Sequence, residues 1–285
     1  MIRFKAGLMF LALALVITTV ASAGRLESET VEVDAKGAEN IDVSIEFGAG
    51  EILMVPADIK SAAVFDVEYT PRRFDFDVDY EVKRGTGYLL AESIVRRKTD
   101  VDTEDNRWEV TMSTRYPMVM ELEMGACDAE LDLGGIQLEG LKIEVGAASA
   151  RLDFSAPNPV RLEEIEIEAG AASLEMEGGG NANFDFFSFE GGAGSFDLDF
   201  RGDYDGESEI TIDVGLGSAD IVLPDNIPCR VEAETDGWLS SVDFHGDDLD
   251  EIDDDVYESP DFDDADTRIV IRIDVGLGSV DLYWK

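Results

Sequence analysis

The six-residue stretch Val-Gly-Leu-Gly-Ser-Ala at 214–219 and its near-copy Val-Gly-Leu-Gly-Ser-Val at 275–280 decide the fold of this chain. Related blocks, with the pattern Gly-x-x-Ser or a close variant, recur upstream. The lead glycines of the seven blocks are Gly125, Gly146, Gly170, Gly192, Gly215, Gly237 and Gly276. The first six are spaced by 21 to 24 residues, and 39 residues separate the last two. This period predicts stacked β-structure, because one unit cannot bury its own apolar face.

The sequence on both sides of each block alternates between apolar and polar residues. Ile210, Ile212 and Val214 fall on one face before the corner, and Val280 and Leu282 do so after it. A period of two is typical of strands with one buried and one solvated face. We therefore predict an all-β fold of stacked repeats of about 22 residues, forming a β-solenoid, with almost no helix in the mature chain.

The 39-residue interval between Gly237 and Gly276 is interpreted as one repeat plus an insertion of about 17 residues. The degraded repeat at Gly237 is therefore predicted to stack between the repeats of the two VGLGS blocks. On this reading the array ends with the chain, and an inward Trp284 closes its open end. An isolated early block, Phe-Gly-Ala-Gly-Glu-Ile at 47–52, lies far upstream of the others.

The N-terminus predicts export. Residues 1–23 combine a basic start, a short apolar run and the Ala-Ser-Ala cleavage pattern at 21–23, as in a secretory signal peptide. The apolar run is too short for a membrane span. We expect a periplasmic, extracellular or cell-surface protein without a membrane span after cleavage. Export permits a disulfide between Cys127 and Cys229, with two buried free thiols as the alternative.

Charge divides the rest of the chain in two. Residues 24–117 hold 12 basic and 21 acidic side chains, whereas 118–285 hold 8 and 43. We predict a small antiparallel β-module over 24–117, a β-solenoid over 118–285 and an acidic insertion over 246–267. The net charge of the whole chain is −42, which excludes nucleic acid as a partner because phosphate binding needs clustered Lys and Arg.

Two parts of the sequence resemble known families. The Gly-Ala-Gly-Glu-Ile block at 48–52, with the β-region after it, resembles the N-terminal domain of bacterial toast-rack proteins. The Val-Gly-Leu-Gly-Ser-Val-Asp-Leu block at 275–282 resembles the C-terminal domain of cell-wall-active antibiotics response (LiaF-like) proteins and the putative-adhesin family of surface β-solenoids. The resemblance covers most of 31–285. It implies a non-enzymatic envelope protein with no catalytic residues or cofactor to carry over.

Acidic residues recur at one position of the repeat, two residues before the lead glycine. They are Glu46, Glu123, Glu144, Glu168, Glu190, Asp213 and Asp274, and the series is broken only by Thr235. In stacked strands these carboxylates lie about 4.8 Å apart and repel one another by roughly 3 kcal/mol at an effective dielectric constant of about 20. Three explanations stay open: a solvated face, adaptation to salt, or binding of divalent cations.

The acidic insertion contains 12 acids and no base between 247 and 266, which is typical of a mobile, solvated loop. The alternative is an arm that binds Ca²⁺ or a basic partner. The candidate Ca²⁺ ligands are Asp247, Asp248, Asp250, Asp253, Asp254 and Asp255.

The sequence as a whole predicts a structural or adhesive envelope protein whose partner is an envelope protein or a polysaccharide. One alternative is sensing or regulation of envelope stress, as in LiaF-like proteins. The other is a Ca²⁺-dependent carbohydrate-binding module.

Overall fold

The structure, a computed structural model, describes residues 26–96, 105–235, 240–246 and 249–285, together with the backbone of 15–17. The predicted signal peptide lies mostly outside these residues and stays a prediction. The strands are β1 (Leu15–Ile17), β2 (Glu27–Val33), β3 (Asn40–Ala57), β4 (Ala63–Tyr69), β5 (Phe74–Lys83), β6 (Thr86–Val95), β7 (Asn106–Ser113), β8 (Pro117–Asp132), β9 (Gln137–Val145), β10 (Ser149–Asp153), β11 (Leu162–Glu177), β12 (Phe184–Asp199), β13 (Glu207–Leu223), β14 (Cys229–Thr235), β15 (Ser240–His245), β16 (Asp250–Asp253), β17 (Val256–Glu258) and β18 (Arg268–Trp284).

The described residues confirm an all-β repeat fold. Gly179–Ala182 and Phe262–Asp264 are short 3-10 helices, and Asp105 is also in 3-10 conformation. No helix among these residues is long and apolar enough to cross a membrane.

The repeats stack in parallel and in register. Most of them form one long strand that continues through the corner block, so that β11 pairs with β12 and β12 with β13 on both sides of the corner. The early block belongs to the same stack, because β3 pairs in parallel with β8 from Ile41 opposite Met118 to Met54 opposite Leu131. A block that is isolated in the sequence is therefore a direct neighbour of the first array repeat.

Each corner divides the stack into two walls that share one apolar interior. The before-corner wall runs in the order β5, β6, β3, β8, β9, β11, β12, β13, β18, β14, β17, β16. The after-corner wall runs in the order β1, β2, β4, β7, β3, β8, β10, β11, β12, β13, β18, β15. Inward residues such as Ile212 and Ile221 are fully buried, as their alternation predicted.

The order of the last two repeats differs from the predicted one. β18, which carries the Gly276 block, pairs directly with β13 on one side and with β14 and β15 on the other. The degraded Gly237 repeat is thus the terminal level of the stack. Its interior is closed by Phe244 and Tyr257, whose ring centroids are 4.3 Å apart, and Trp284 lies one level deeper. The two VGLGS blocks have matching corners. This match favours direct pairing of β13 with β18, although the Gly237 block lies between them in the sequence.

The N-terminal region is antiparallel only in part. The pairs β2–β4, β4–β7 and β5–β6 are antiparallel, but β3 pairs in parallel with both β6 and β7. Fully buried Trp108 lies at the centre of this region, 5.1 Å from the Phe47 ring and 5.0 Å from the Phe76 ring. β3 thereby joins the N-terminal strands to the array, and a domain boundary at 117 stays a prediction.

The described part of the acidic insertion forms two strands in place of the predicted loop. β16 and β17 form an antiparallel hairpin, and β17 pairs with β14 of the terminal repeat. Phe262 is 3% exposed, with the Arg230 guanidinium 4.4 Å and the Arg268 guanidinium 5.3 Å from its ring centroid. The sequence prediction was wrong here because composition alone does not reveal a strand partner or an aromatic anchor within an acidic run.

The two cysteines are free and buried in different repeats. The disulfide alternative is therefore wrong, and the alternative of two buried thiols holds. Burial raises the pKa of Cys127 to about 12 and that of Cys229 well above its usual value. Both thiols are protonated at neutral pH and unreactive, because the thiolate is the nucleophile.

Candidate functional site

The predicted row of acids is a continuous line of ten carboxylates, which we call the carboxylate ladder. Each member is the register partner of the next. From the N-terminal end of the stack the members are Asp77, Glu92, Glu46, Glu123, Glu144, Glu168, Glu190, Asp213, Asp274 and Glu234. The spacing of about 4.8 Å between strands makes this line roughly 40 Å long.

The ladder is longer than the sequence indicated, for two reasons. In the terminal repeat Glu234, not Thr235, is opposite Asp274, so the predicted break does not exist. Counting back from Gly237 gave the wrong residue because this degraded repeat has one extra residue. At the other end, Glu92 and Asp77 were missed because no glycine block follows them. The alternation of β5 and β6 was the only signal that could have placed them.

A groove runs beside the ladder along the corners, with a volume of about 690 Å³. Its lining residues include six of the ladder carboxylates and the lead glycines that follow them. They are Glu46, Glu123, Glu144, Glu168, Glu190 and Asp213, with Gly48, Gly125, Gly146, Gly170, Gly192 and Gly215. The glycines let the corners stack closely: a Cβ on Gly146 would lie 2.9 Å from the Gly125 carbonyl oxygen. We call this feature the corner groove.

Few cations neutralise the ladder. The Lys142 ammonium lies 3.2 Å from Glu144, 3.1 Å from Glu166 and 3.3 Å from Glu168, and these carboxylates raise the pKa of Lys142. Across the described residues, no basic side chain forms an ion pair with Glu123, Glu190, Asp213 or Asp274. The groove therefore presents carboxylates that are available to an external cation.

The ladder costs stability at neutral pH. Partial burial raises the pKa of Glu46, and the neighbouring Glu92, Glu123 and Glu121 raise it further. A carboxyl group with a raised folded-state pKa favours the folded state when it is protonated. Its contribution is fully present below the unfolded-state pKa and is lost as the pH rises through the folded-state pKa.

We predict that Glu46→Gln raises the free energy of unfolding at pH 7 by about 0.5 kcal/mol, because it removes like-charge repulsion from the ladder. The gain should vanish below about pH 4, where Glu46 is protonated in both states. Urea denaturation of both proteins across this pH range measures the difference. Glu139→Gln, at an exposed site outside the ladder, is the control, and an equal gain from it would attribute the effect to net charge.

A second row of polar residues follows the corner on the after-corner wall. Ser195, Ser218 and Ser279 are register partners, and Asp197, Asp220 and Asp281 form the adjacent row. Burial raises the pKa of Asp197, and Asp220 and Glu175 raise it further. Arg151 interrupts this row: it lies between Glu130 and Glu175 and contacts Glu175 at 3.4 Å.

Asp243, the register partner of Asp281, ends this second row. His245, the only histidine of the chain, lies two residues further along β15. Its Nε2 lies 2.6 Å from Asp281 Oδ1, and its ring stacks on Tyr283 with the centroids 4.7 Å apart.

The structure describes four of the six candidate calcium ligands and does not group them into a site. Asp250, Asp253, Asp254 and Asp255 are exposed around the β16–β17 turn. Asp247 and Asp248 lie outside the described residues. Within the described ranges, no group of three His, Cys, Asp or Glu side chains has an arrangement suited to a metal ion. Calcium binding by these residues stays a prediction.

The fold and the corner groove together define an all-β repeat protein that carries a line of carboxylates along one surface of its paired strands. Residues 22–177 match the family described as the N-terminal domain of toast_rack, DUF2154, and the chain belongs to this family. The toast-rack resemblance is thus confirmed. No curated protein sequence matches the chain.

Solved structures are similar to this chain. A putative cell adhesion protein from Clostridium sporogenes aligns with a TM-score of 0.51 and 19% sequence identity, over 92% of this chain and 100% of that one. A putative adhesin from Bacteroides fragilis aligns with a TM-score of 0.34 and 11% identity, over 91% of this chain and 98% of that one. At such identities the first likeness concerns the fold alone.

Proposed function

We propose that this protein is a non-enzymatic component of the bacterial cell envelope with a structural or adhesive role, and that it uses the corner groove as its contact surface. The observation that carries the proposal is the carboxylate ladder, which holds ten acids in register on adjacent strands. Surface loops would let such charges move apart, whereas a sheet fixes them about 4.8 Å from one another.

The charge of the groove specifies the kind of partner. A row of fixed carboxylates attracts a ligand that presents several cations, and each ion pair formed also relieves repulsion within the row. A basic segment of an envelope protein, or a polysaccharide with amino groups, has this chemistry. The name of the Clostridium sporogenes structure, a putative cell adhesion protein, agrees with an adhesive role.

Export is part of the proposal. It is supported by the signal-peptide pattern at 1–23, which would deliver the mature chain to the periplasm or the cell surface. Buried thiols in place of a disulfide are compatible with either location, because a packed core of this size does not require a crosslink.

Crosslinking of the protein in its own envelope, with two variants matched in charge, tests the proposal. The ladder variant combines Glu123→Gln, Glu190→Gln and Asp213→Asn, all within the corner groove. The control variant combines Glu139→Gln, Glu163→Gln and Glu164→Gln, which are exposed carboxylates outside it.

We expect the ladder variant to yield about tenfold less crosslinked partner, which is equivalent to a loss of roughly 1.4 kcal/mol in binding free energy. The control variant should retain the partner. Equal losses would show that net charge alone matters, and no loss in either would exclude the corner groove as the contact surface. Thermal unfolding of both variants verifies that they fold.

A further inference from the structure

The end of the stack that follows β18 is covered by the acidic hairpin. β14 would otherwise leave its backbone groups unpaired on the before-corner wall, but β17 pairs with it from Arg230 opposite Glu258 to Glu232 opposite Val256. β16 then pairs with β17 and becomes the outermost strand. Within the described residues the outer edge of β16 has no strand partner.

The hairpin is held in place by specific contacts, so it is a built part of the fold. Arg230 forms an ion pair with Glu258 at 2.6 Å, and its guanidinium lies over Phe262. The Ser259 hydroxyl accepts a hydrogen bond of 2.7 Å from the Cys229 backbone N–H. These contacts anchor the segment that follows the hairpin to the first residues of β14.

The composition of β16 is unusual for an outermost strand. Its sequence is Asp-Glu-Ile-Asp, every side chain is exposed, and Ile252 is 55% exposed. An unpaired edge is a template for another chain, and natural proteins protect such edges with charged side chains. Three of the four residues of β16 are acidic, and Asp254 and Asp255 follow in the turn.

We propose that the β16–β17 hairpin is an end cap whose negative charges keep a second copy of this chain from adding to the edge of β16. Two copies related by a twofold axis would pair their β16 strands in antiparallel fashion, because a twofold interface uses the same surface on both partners. Such pairing would bring at least six acids together across the axis. The repulsion between these acids prevents it, whereas loss of charge permits it.

The other end of the before-corner wall explains why a twofold contact is preferred to head-to-tail stacking. Its outermost strand, β5, alternates acids with apolar residues, and Asp75, Asp77 and Asp79 lie on one face. A β16 strand placed on β5 would bring two acidic strands together and would join two ends of different shape. Neutralising β16 removes its repulsion in either contact, but only the twofold contact pairs two strands of equal length, because β16 has 4 residues and β5 has 10.

Self-association of two variants with equal charge tests the proposal. The cap variant combines Asp250→Asn, Glu251→Gln, Asp253→Asn and Asp254→Asn. The control variant combines Glu121→Gln, Glu139→Gln, Glu163→Gln and Glu164→Gln, which lie on strands β8, β9 and β11 with neighbours on both sides. Sedimentation velocity over a concentration series reports the dimerisation constant.

We expect the cap variant to dimerise at least about tenfold more tightly than the unmodified protein, and the control variant to behave like the unmodified protein. Equal association of both variants, or of neither, overturns the proposal. Should the cap variant fail to fold, high salt replaces it: screening should promote dimerisation of the unmodified protein, and Ile252→Glu, which adds a fourth acid to the edge strand, should weaken it.

Disulfide formation locates the contact. In the cap variant, Ile252→Cys should give crosslinked dimers under oxidation, because Ile252 lies within the edge strand. Val119→Cys, at a similarly exposed position (47%) within a paired strand, should not. Dimers without an Ile252 crosslink would place the contact elsewhere and would also overturn the proposal.

Discussion

Replacing Gly217 with alanine is expected to lower the free energy of unfolding by more than about 3 kcal/mol. Gly217 has φ of 146°, a region that residues with a Cβ rarely adopt. A Cβ built at this position would lie 2.0 Å from the Gly194 carbonyl oxygen of the neighbouring corner. That atom belongs to the backbone of the stack, so the clash can be relieved only by separating two repeats.

Gly206→Ala is the matched control for this prediction. Gly206 also has positive φ, of 83°, but no atom lies within 4 Å of a Cβ built there. Its substitution should cost only the left-handed backbone penalty of about 1–2 kcal/mol. Urea denaturation of both variants measures the difference. If the two variants lose equal stability, backbone strain alone explains the effect, and close stacking of the corners is not what requires glycine.

Trp108→Ala is expected to destabilise the protein by about 3–5 kcal/mol, the usual cost of removing a buried aromatic residue. Trp108 is fully buried among aromatic rings, and its Nε1 donates a 3.1 Å hydrogen bond to the Asn106 side chain. Asn106 in turn donates to the Ala49 carbonyl oxygen at 2.7 Å, within the first corner. Loss of the indole therefore loosens the attachment of the N-terminal strands to the stack as well as opening a cavity.

Tyr88→Ala provides the comparison, since Tyr88 is an aromatic residue of the same region that is 42% exposed. We expect a loss within about 0.5 kcal/mol, as for most surface substitutions. Denaturant unfolding gives both values, and hydrogen exchange of β3 and β7 shows where protection is lost. A loss from Trp108→Ala no larger than that from Tyr88→Ala would contradict the central role of the indole.

The energetics of the stack link its stability to its proposed role. Buried aliphatic side chains such as Ile212 and Ile273 supply the favourable free energy, at about 25 cal/mol per Å² of apolar surface removed from water. The carboxylate ladder opposes folding, most strongly where no cation is near. A partner that brings cations into the corner groove would remove this penalty, so binding and stability should rise together.

Much of the candidate site could be predicted from the sequence. Seven ladder members, from Glu46 to Asp274, were placed by counting from the lead glycines, because a repeat in register turns equal sequence positions into neighbours. The same counting failed at Thr235, where one extra residue shifts the register, and it could not find Glu92 or Asp77, which have no glycine block. Their places follow from pairings between β3, β6 and β5, for which the alternation of β5 and β6 is the only local sign.

The sequence by itself determined the all-β repeat fold, the glycine corners and the alternation of buried and charged faces, since these depend on local conformation and periodicity. Only the tertiary structure decided that β18 lies between β13 and β14, and that the acidic insertion extends the before-corner wall at the end of the stack. The physical reason is that neighbours in a stack are chosen by long-range backbone pairing and packing of interiors. The corners at Gly217 and Gly278 match, so their direct pairing is favoured although another repeat lies between them in the sequence.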